Sequence, residues 1–100
     1  MIAAFSVAPM GHGDSVSGAV TEAVRVVRDS GLSYRLTSMF TEVEGDWDEV
    51  FDVIRRATEA AGSHGGRVSL VIKADIRPGW SGQLTEKVTR VTDGLDEDHA

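Results

Sequence analysis

The hydrophobic pattern of this chain runs through two cycles of strand period followed by helix period, and the two share one layout. Ile2 to Ala8 is apolar at odd and even positions alike, as in a strand covered on both faces. Pro9, Gly11 and Gly13 end it. From Ser15 onward Val16, Ala19, Val20, Ala23, Val24 and Val27 follow the three-four spacing of an amphipathic helix, with Glu22, Arg25, Arg28 and Asp29 on the opposite side. Asp14 or Ser15 is suited to cap its start, and Gly31 to close its end. Tyr34 to Glu44 then reads as two short strands with a tight connection near Ser38 and Met39.

The second cycle follows Gly45. Asp46 and Glu49 have the spacing of a capping box, and Trp47, Val50, Phe51, Ile54, Ala57 and Ala61 stripe a helix that Gly62 ends. Asp52 and Arg56 stand four apart on its wet side. Arg67 to Arg77 alternates, with Val68, Leu70, Ile72, Ala74 and Ile76 on the expected core side and Val71 the one apolar residue on the other. Pro78 and Gly79 stop that strand. Leu84, Val88 and Val91 then stripe a short third helix.

Strand, helix, strand, strand, helix, strand is the order of two split βαβ units. Right-handed crossovers arrange them as an α+β, ferredoxin-like βαββαβ sandwich: a four-stranded antiparallel sheet, two helices on one face and an appended C-terminal helix. One domain is expected over residues 1–92, with an acidic, disordered tail over 93–100. The other sheet face should then lack internal cover. It would carry Ile2, Ala4, Ser6 and Ala8 at its centre, with Arg35, Thr37, Phe40, Glu42, Glu44, Val71, Lys73 and Asp75 around them. A small, apolar centre with charged margins is the pattern of an interaction surface, and a second copy is its simplest cover.

Composition removes several chemistries. The chain has no cysteine, which excludes a disulfide framework, a thiolate zinc site, an iron–sulfur cluster and a cysteine nucleophile. A net charge of −6 disfavours nucleic acid and anionic membranes as partners. Met1 to Met10 is too short to span a membrane and lacks the positive flank of a signal peptide, so a cytoplasmic location is expected. His12, His64 and His99 have no second ligand at metal spacing, and neither a metal nor a cofactor is expected. The turn Gly11-His12-Gly13-Asp14-Ser15 lacks the lysine of a phosphate loop, and Asp14 would repel the phosphate. Ser6, Ser15, Ser38 and Ser81 lack a nucleophile elbow, and the acidic run Asp46, Asp48, Glu49 and Asp52 fits a helix start.

Six polar residues on different strands remain: Ser6, Thr37, Thr41, Glu44, Lys73 and Asp75. Hydroxyls with a carboxylate, flanked by Met39, Phe40 or Trp80, have the chemistry to hold a flat heteroaromatic ring. The alternative is a set of cross-strand pairs, with Lys73 bridging to Glu44 or Asp75.

The stretches IAAFSVAPMG (2–11), Leu36-Thr37-Ser38-Met39 with Thr41 and Glu44-Gly45-Asp46, and Lys73-Ala74-Asp75-Ile76-Arg77 occur in an order that resembles the YkoF-like thiamine-binding proteins, over residues 2–92. The resemblance implies a ferredoxin-like fold, assembly into dimers or tetramers, and binding of thiamine or its hydroxymethylpyrimidine moiety in at least some members; joined to the uncovered face as the seam between copies, it gives a non-enzymatic oligomeric binder as the expected function. Carried over by position, it implies a ligand site of Ser6, Thr37, Met39, Thr41, Glu44, Lys73 and Asp75, with Phe40 beside them in place of a usual small residue. Glu44 would accept from the aminopyrimidine, the hydroxyls would orient it, and Met39 or Phe40 would pack on the ring. Two other classes stay open. One is an assembly module without a ligand, and the other an enzyme on a pyrimidine precursor using Lys73 with Asp75 or Glu44. RNA binding is disfavoured by the acidic balance and the lack of an aromatic platform.

Overall fold

The computed structural model describes residues 1–10, 17–63 and 66–97. The expected caps Asp14 and Ser15, the Gly11–Ser15 turn and all three histidines fall outside those residues. The elements are β1 (Ile2–Pro9), α1 (Ser17–Asp29), β2 (Ser33–Leu36), β3 (Thr41–Glu44), α2 (Trp47–Ala61), β4 (Val68–Asp75) and α3 (Gln83–Glu97). The four strands form one antiparallel sheet in the order β2-β3-β1-β4, the ferredoxin-like arrangement with α1 and α2 on one face.

Local chemistry accounts for most element ends. Asp46 and Glu49 form the expected capping box at the start of α2. Gly31, at φ +80°, takes the left-handed conformation that closes a helix without a Cβ penalty. Arg55 and Arg56 both reach Asp52, at 2.8 and 2.9 Å, and hold its carboxyl below the ordinary range through those hydrogen bonds.

The core lies between the central strands and the two helices. Ala3, Phe5 and Val7 of β1 and Val43 of β3 meet Ala23 and Val27 of α1, and Val50, Val53, Ile54, Ala57 and Ala61 of α2. Val53 and the half-buried Val26 add to the stripes read from sequence. Register fixes the faces: Phe5 pairs with Thr41 and Ile72, so all three point toward the helices.

Pointing toward the helices is not the same as being covered by them. Tyr34 and Leu36 on β2, and Leu70, Ile72 and Ile76 at the other edge, have the strand parity of the core and are nevertheless exposed, Leu36 to 57%. The reason is width: two helices roof the middle strands, and the edge strands extend past them. The second face also departs from expectation, because it has an internal cover over one end. After β4, Gly82 at φ +68° turns the chain back and α3 begins against the sheet, burying Gln83 and Leu84. That helix runs to Glu97, five residues into the expected tail. Leu95 extends the Val88–Val91 stripe, and Thr92 Oγ1 donates to the carbonyls of Val88 and Thr89. No described helix is long and apolar enough to cross a membrane.

Candidate functional site

The eight residues singled out in the sequence separate into two regions. β1 is eight residues long and β3 only four, so their pairing stops at Phe5–Thr41 and β1 runs on without a β3 neighbour. A notch results where the β2–β3 turn, β1 and α1 meet. It holds a hollow of about 120 Å³ that collects Ser6, Thr37, Met39, Phe40 and Thr41, with Phe5, Val20 and Val24 among its apolar walls.

Within this hollow the hydroxyls are unequal. Thr37 staples the turn: its N–H donates to the Phe40 carbonyl at 2.9 Å, and its Oγ1 donates to the same carbonyl at 2.7 Å. The Thr37 Oγ1 also accepts from the Phe40 N–H at 3.2 Å. A hydroxyl has one hydrogen to give, so Thr37 keeps only acceptor capacity for a ligand. Thr41 is 6% exposed and faces the helices, whereas Ser6 pairs with Val71 on the second face, at the lip of the notch. Met39, 75% exposed, stands at the tip of the turn.

Glu44, Lys73 and Asp75 lie elsewhere. Glu44 is three residues along β3 from Thr41 and on the opposite face, so its carboxylate does not reach the notch. It accepts from the N–H groups of Gln83 at 2.9 Å and Leu84 at 3.4 Å, satisfying two of the unpaired donors at the start of α3. Asp75 pairs with Lys87 of α3, and that hydrogen bond, followed by the charge of Lys87, holds the Asp75 carboxyl below its usual range. Arg35 Nη1 donates to the Leu84 carbonyl at 3.5 Å. Lys73 forms no ion pair with Glu44 or Asp75. Together with Asp75 it lines a second hollow, of about 240 Å³, beneath α3.

Trp80, considered with Met39 and Phe40 as a ring-packing group, is placed at the other end of the sheet. It shares a slot with Trp47, Ile76 and Met1, and the Arg77 guanidinium stacks 3.5 Å over its ring. Gln83 was not singled out in the sequence. It is 6% exposed, donates to the Ser81 carbonyl at 3.0 Å and accepts from Arg90 at 3.0 Å. No periodicity marks a polar residue that becomes buried through a contact made 39 residues away. Among the described residues no group of three or more His, Asp or Glu is placed to hold a metal.

The comparisons agree with this fold. A family profile described as thiamine-binding protein matches residues 3–92. A UPF0045 protein of Mycobacterium bovis is 52% identical over 92 residues, covering 91% of this chain and 90% of its own. A domain of unknown function from Bacillus cereus superposes with a TM-score of 0.78 at 35% identity, covering 87% of this chain and 85% of that one. A provisionally assigned thiamine biosynthesis/salvage protein from Thermotoga maritima has a TM-score of 0.76 at 20% identity, over 90% of this chain and 96% of its own, a likeness of fold. With a profile spanning nine-tenths of its length and a relative sharing half its residues, the chain belongs to the thiamine-binding protein family.

Proposed function

We propose that this protein is a non-enzymatic binder of thiamine or its hydroxymethylpyrimidine moiety, and that the notch is where the ring enters. The observation that carries the reading is the gathering of Ser6, Thr37, Met39, Phe40 and Thr41 around one hollow. In this reading Thr41 and Thr37 supply oxygen partners to the ring, Phe40 and the apolar wall of α1 pack on it, and Met39 closes the mouth. A space of about 120 Å³ suits one ring, well short of the ~300 Å³ at which pockets for larger ligands begin. Size therefore favours the hydroxymethylpyrimidine moiety inside the notch, with the remainder of thiamine outside under Met39. Glu44 and Asp75 act here as the fastenings of α3 rather than as acceptors for the ring.

The reading includes self-association. Copies meet through the part of the second face that α3 leaves open, at Ala8, Ser69 and Val71, aided by the outward stripe Val91 and Leu95. Val71 is 51% and Val91 63% exposed. The radius of gyration is 15.4 Å, against about 13 Å for a compact chain of this length, and α3 is exposed from Thr85 to Glu97.

Calorimetric titration with thiamine and with hydroxymethylpyrimidine tests the ligand. Saturable heat is expected for both, and for neither after Thr41→Val combined with Phe40→Ala. A flat isotherm with both ligands, from protein that melts cooperatively, overturns the assignment. Sedimentation at micromolar concentration tests the assembly, where dimers or larger species are expected and single chains alone refute it.

A further inference from the structure

Five charged side chains stand on the second face beneath α3 or beside it, and three have partners. Arg35 donates to the Leu84 carbonyl, Glu44 accepts from the first N–H groups of α3, and Asp75 pairs with Lys87. Glu42 and Lys73 are left without a side-chain hydrogen bond or ion pair among the described residues, although they are of opposite sign. Their placement is symmetric. Both pair with Ala4, Glu42 from the β3 side and Lys73 from the β4 side, so they flank one small residue on one face. Two strand spacings separate their Cα atoms, about 10 Å.

Between them lies the hollow of about 240 Å³. Ile2 and Ala4 form its floor, and Leu84 and Val88 its roof. This volume lies below the ~300 Å³ where sites for drug-sized molecules begin, so the occupant is small. The hollow is also lined by Gln83 and by Asp75 and Lys87, which answer each other's charge, so the carboxylate of Glu42 and the ammonium of Lys73 are left to ask for a ligand that carries both signs. A cation alone leaves Lys73 unanswered, an anion alone leaves Glu42 unanswered, and charge-assisted hydrogen bonds at both ends are the stronger arrangement.

We propose that this hollow binds a free α-amino acid with a branched aliphatic side chain. Its ammonium donates to Glu42, its carboxylate accepts from Lys73, and its side chain lies between Ile2 and Ala4 below and Leu84 and Val88 above. The hollow shares no residue with the notch, so the site is independent of the thiamine reading. Because Leu84 and Lys87 belong to α3, an occupant also adds contacts between that helix and the sheet.

The test is calorimetry on the full chain with L-leucine, leucinamide, which lacks the carboxylate, and 4-methylpentanoate, which lacks the ammonium. L-Leucine is expected to bind, and each analogue to bind at least about tenfold more weakly, the loss of one charged contact. Glu42→Gln and Lys73→Met are each expected to weaken leucine by a similar factor, while Lys73→Arg retains it. Thermal melts establish that all three variants fold. Absence of saturable heat at about 10 mM leucine, enough to fill a millimolar site, overturns the proposal. So does equal binding of the analogues, or undiminished binding by Glu42→Gln and Lys73→Met.

Discussion

The two faces of the sheet are closed by different chemistry. On one, Phe5, Val27, Val43, Val50 and Ile54 interlock at 2% exposure or less, and no polar group joins helix to strand within that cluster. On the other, α3 is fastened by Glu44, Asp75 and Arg35, with Leu84 as its buried apolar anchor. Apolar burial is not weakened by charge screening and does not titrate, whereas exposed ion pairs are screened and titrate. The helix side therefore defines whether the chain folds. The α3 side defines a layer that can loosen while the rest stays intact.

The sharpest way to break that contrast is to attack the core. Ile54→Ala leaves a cavity among side chains with little room to collapse, and a loss of about 2–5 kcal/mol in urea unfolding is expected, with every element melting together. A smaller and more local effect is expected for Glu44→Ala. Removal of the carboxylate that satisfies the Gln83 and Leu84 N–H groups costs about 1 kcal/mol, as for other helix caps. It should appear as faster hydrogen exchange in α3, with β1 and α2 unchanged. Equal acceleration in all three elements would show that the two faces are one cooperative unit.

The smallest effect concerns Asp75 and Lys87. The carboxyl of Asp75 is held low in the folded chain, so its contribution is present above the ordinary carboxyl value of about 4 and is lost as pH falls through the folded one. Protection of α3 should fall in acid before the core unfolds, and high salt should reduce it at neutral pH. Lys87→Met should raise the Asp75 pKa in an NMR titration toward its ordinary value, since Lys87 is the leading cause of the depression.

The same contrast explains what the sequence revealed. The helix side is built by local periodicity, so the stripes of α1 and α2, the Asp46–Glu49 box and the inward side of β1 were all legible. Coverage was not. Periodicity assigned Leu36, Leu70 and Ile72 to the correct face, but no sequence signal states how far a helix roof extends. The acidic composition of residues 93–97 hides Leu95 as the next step of the α3 stripe. The position of Glu44 is the instructive case. A carboxylate close in sequence to Thr37 and Thr41 invites a ligand role, and only the return of the chain through Gly82 shows that it caps a helix. Of the eight candidates, Thr37, Met39, Phe40 and Thr41 are brought together by the hairpin, a local device, and Ser6 joins them from β1; the other three lie where α3 comes to rest.

The brevity of β3 has a consequence of its own. Continued at the same register, the hairpin would bring Phe40 opposite Ser6 and Met39 opposite Val7, and main chain would occupy the gap. Lengthening each arm by two residues would thus trade a recess for an unbroken edge, so the size of the opening in any variant is governed by hairpin length before the identity of a single side chain matters.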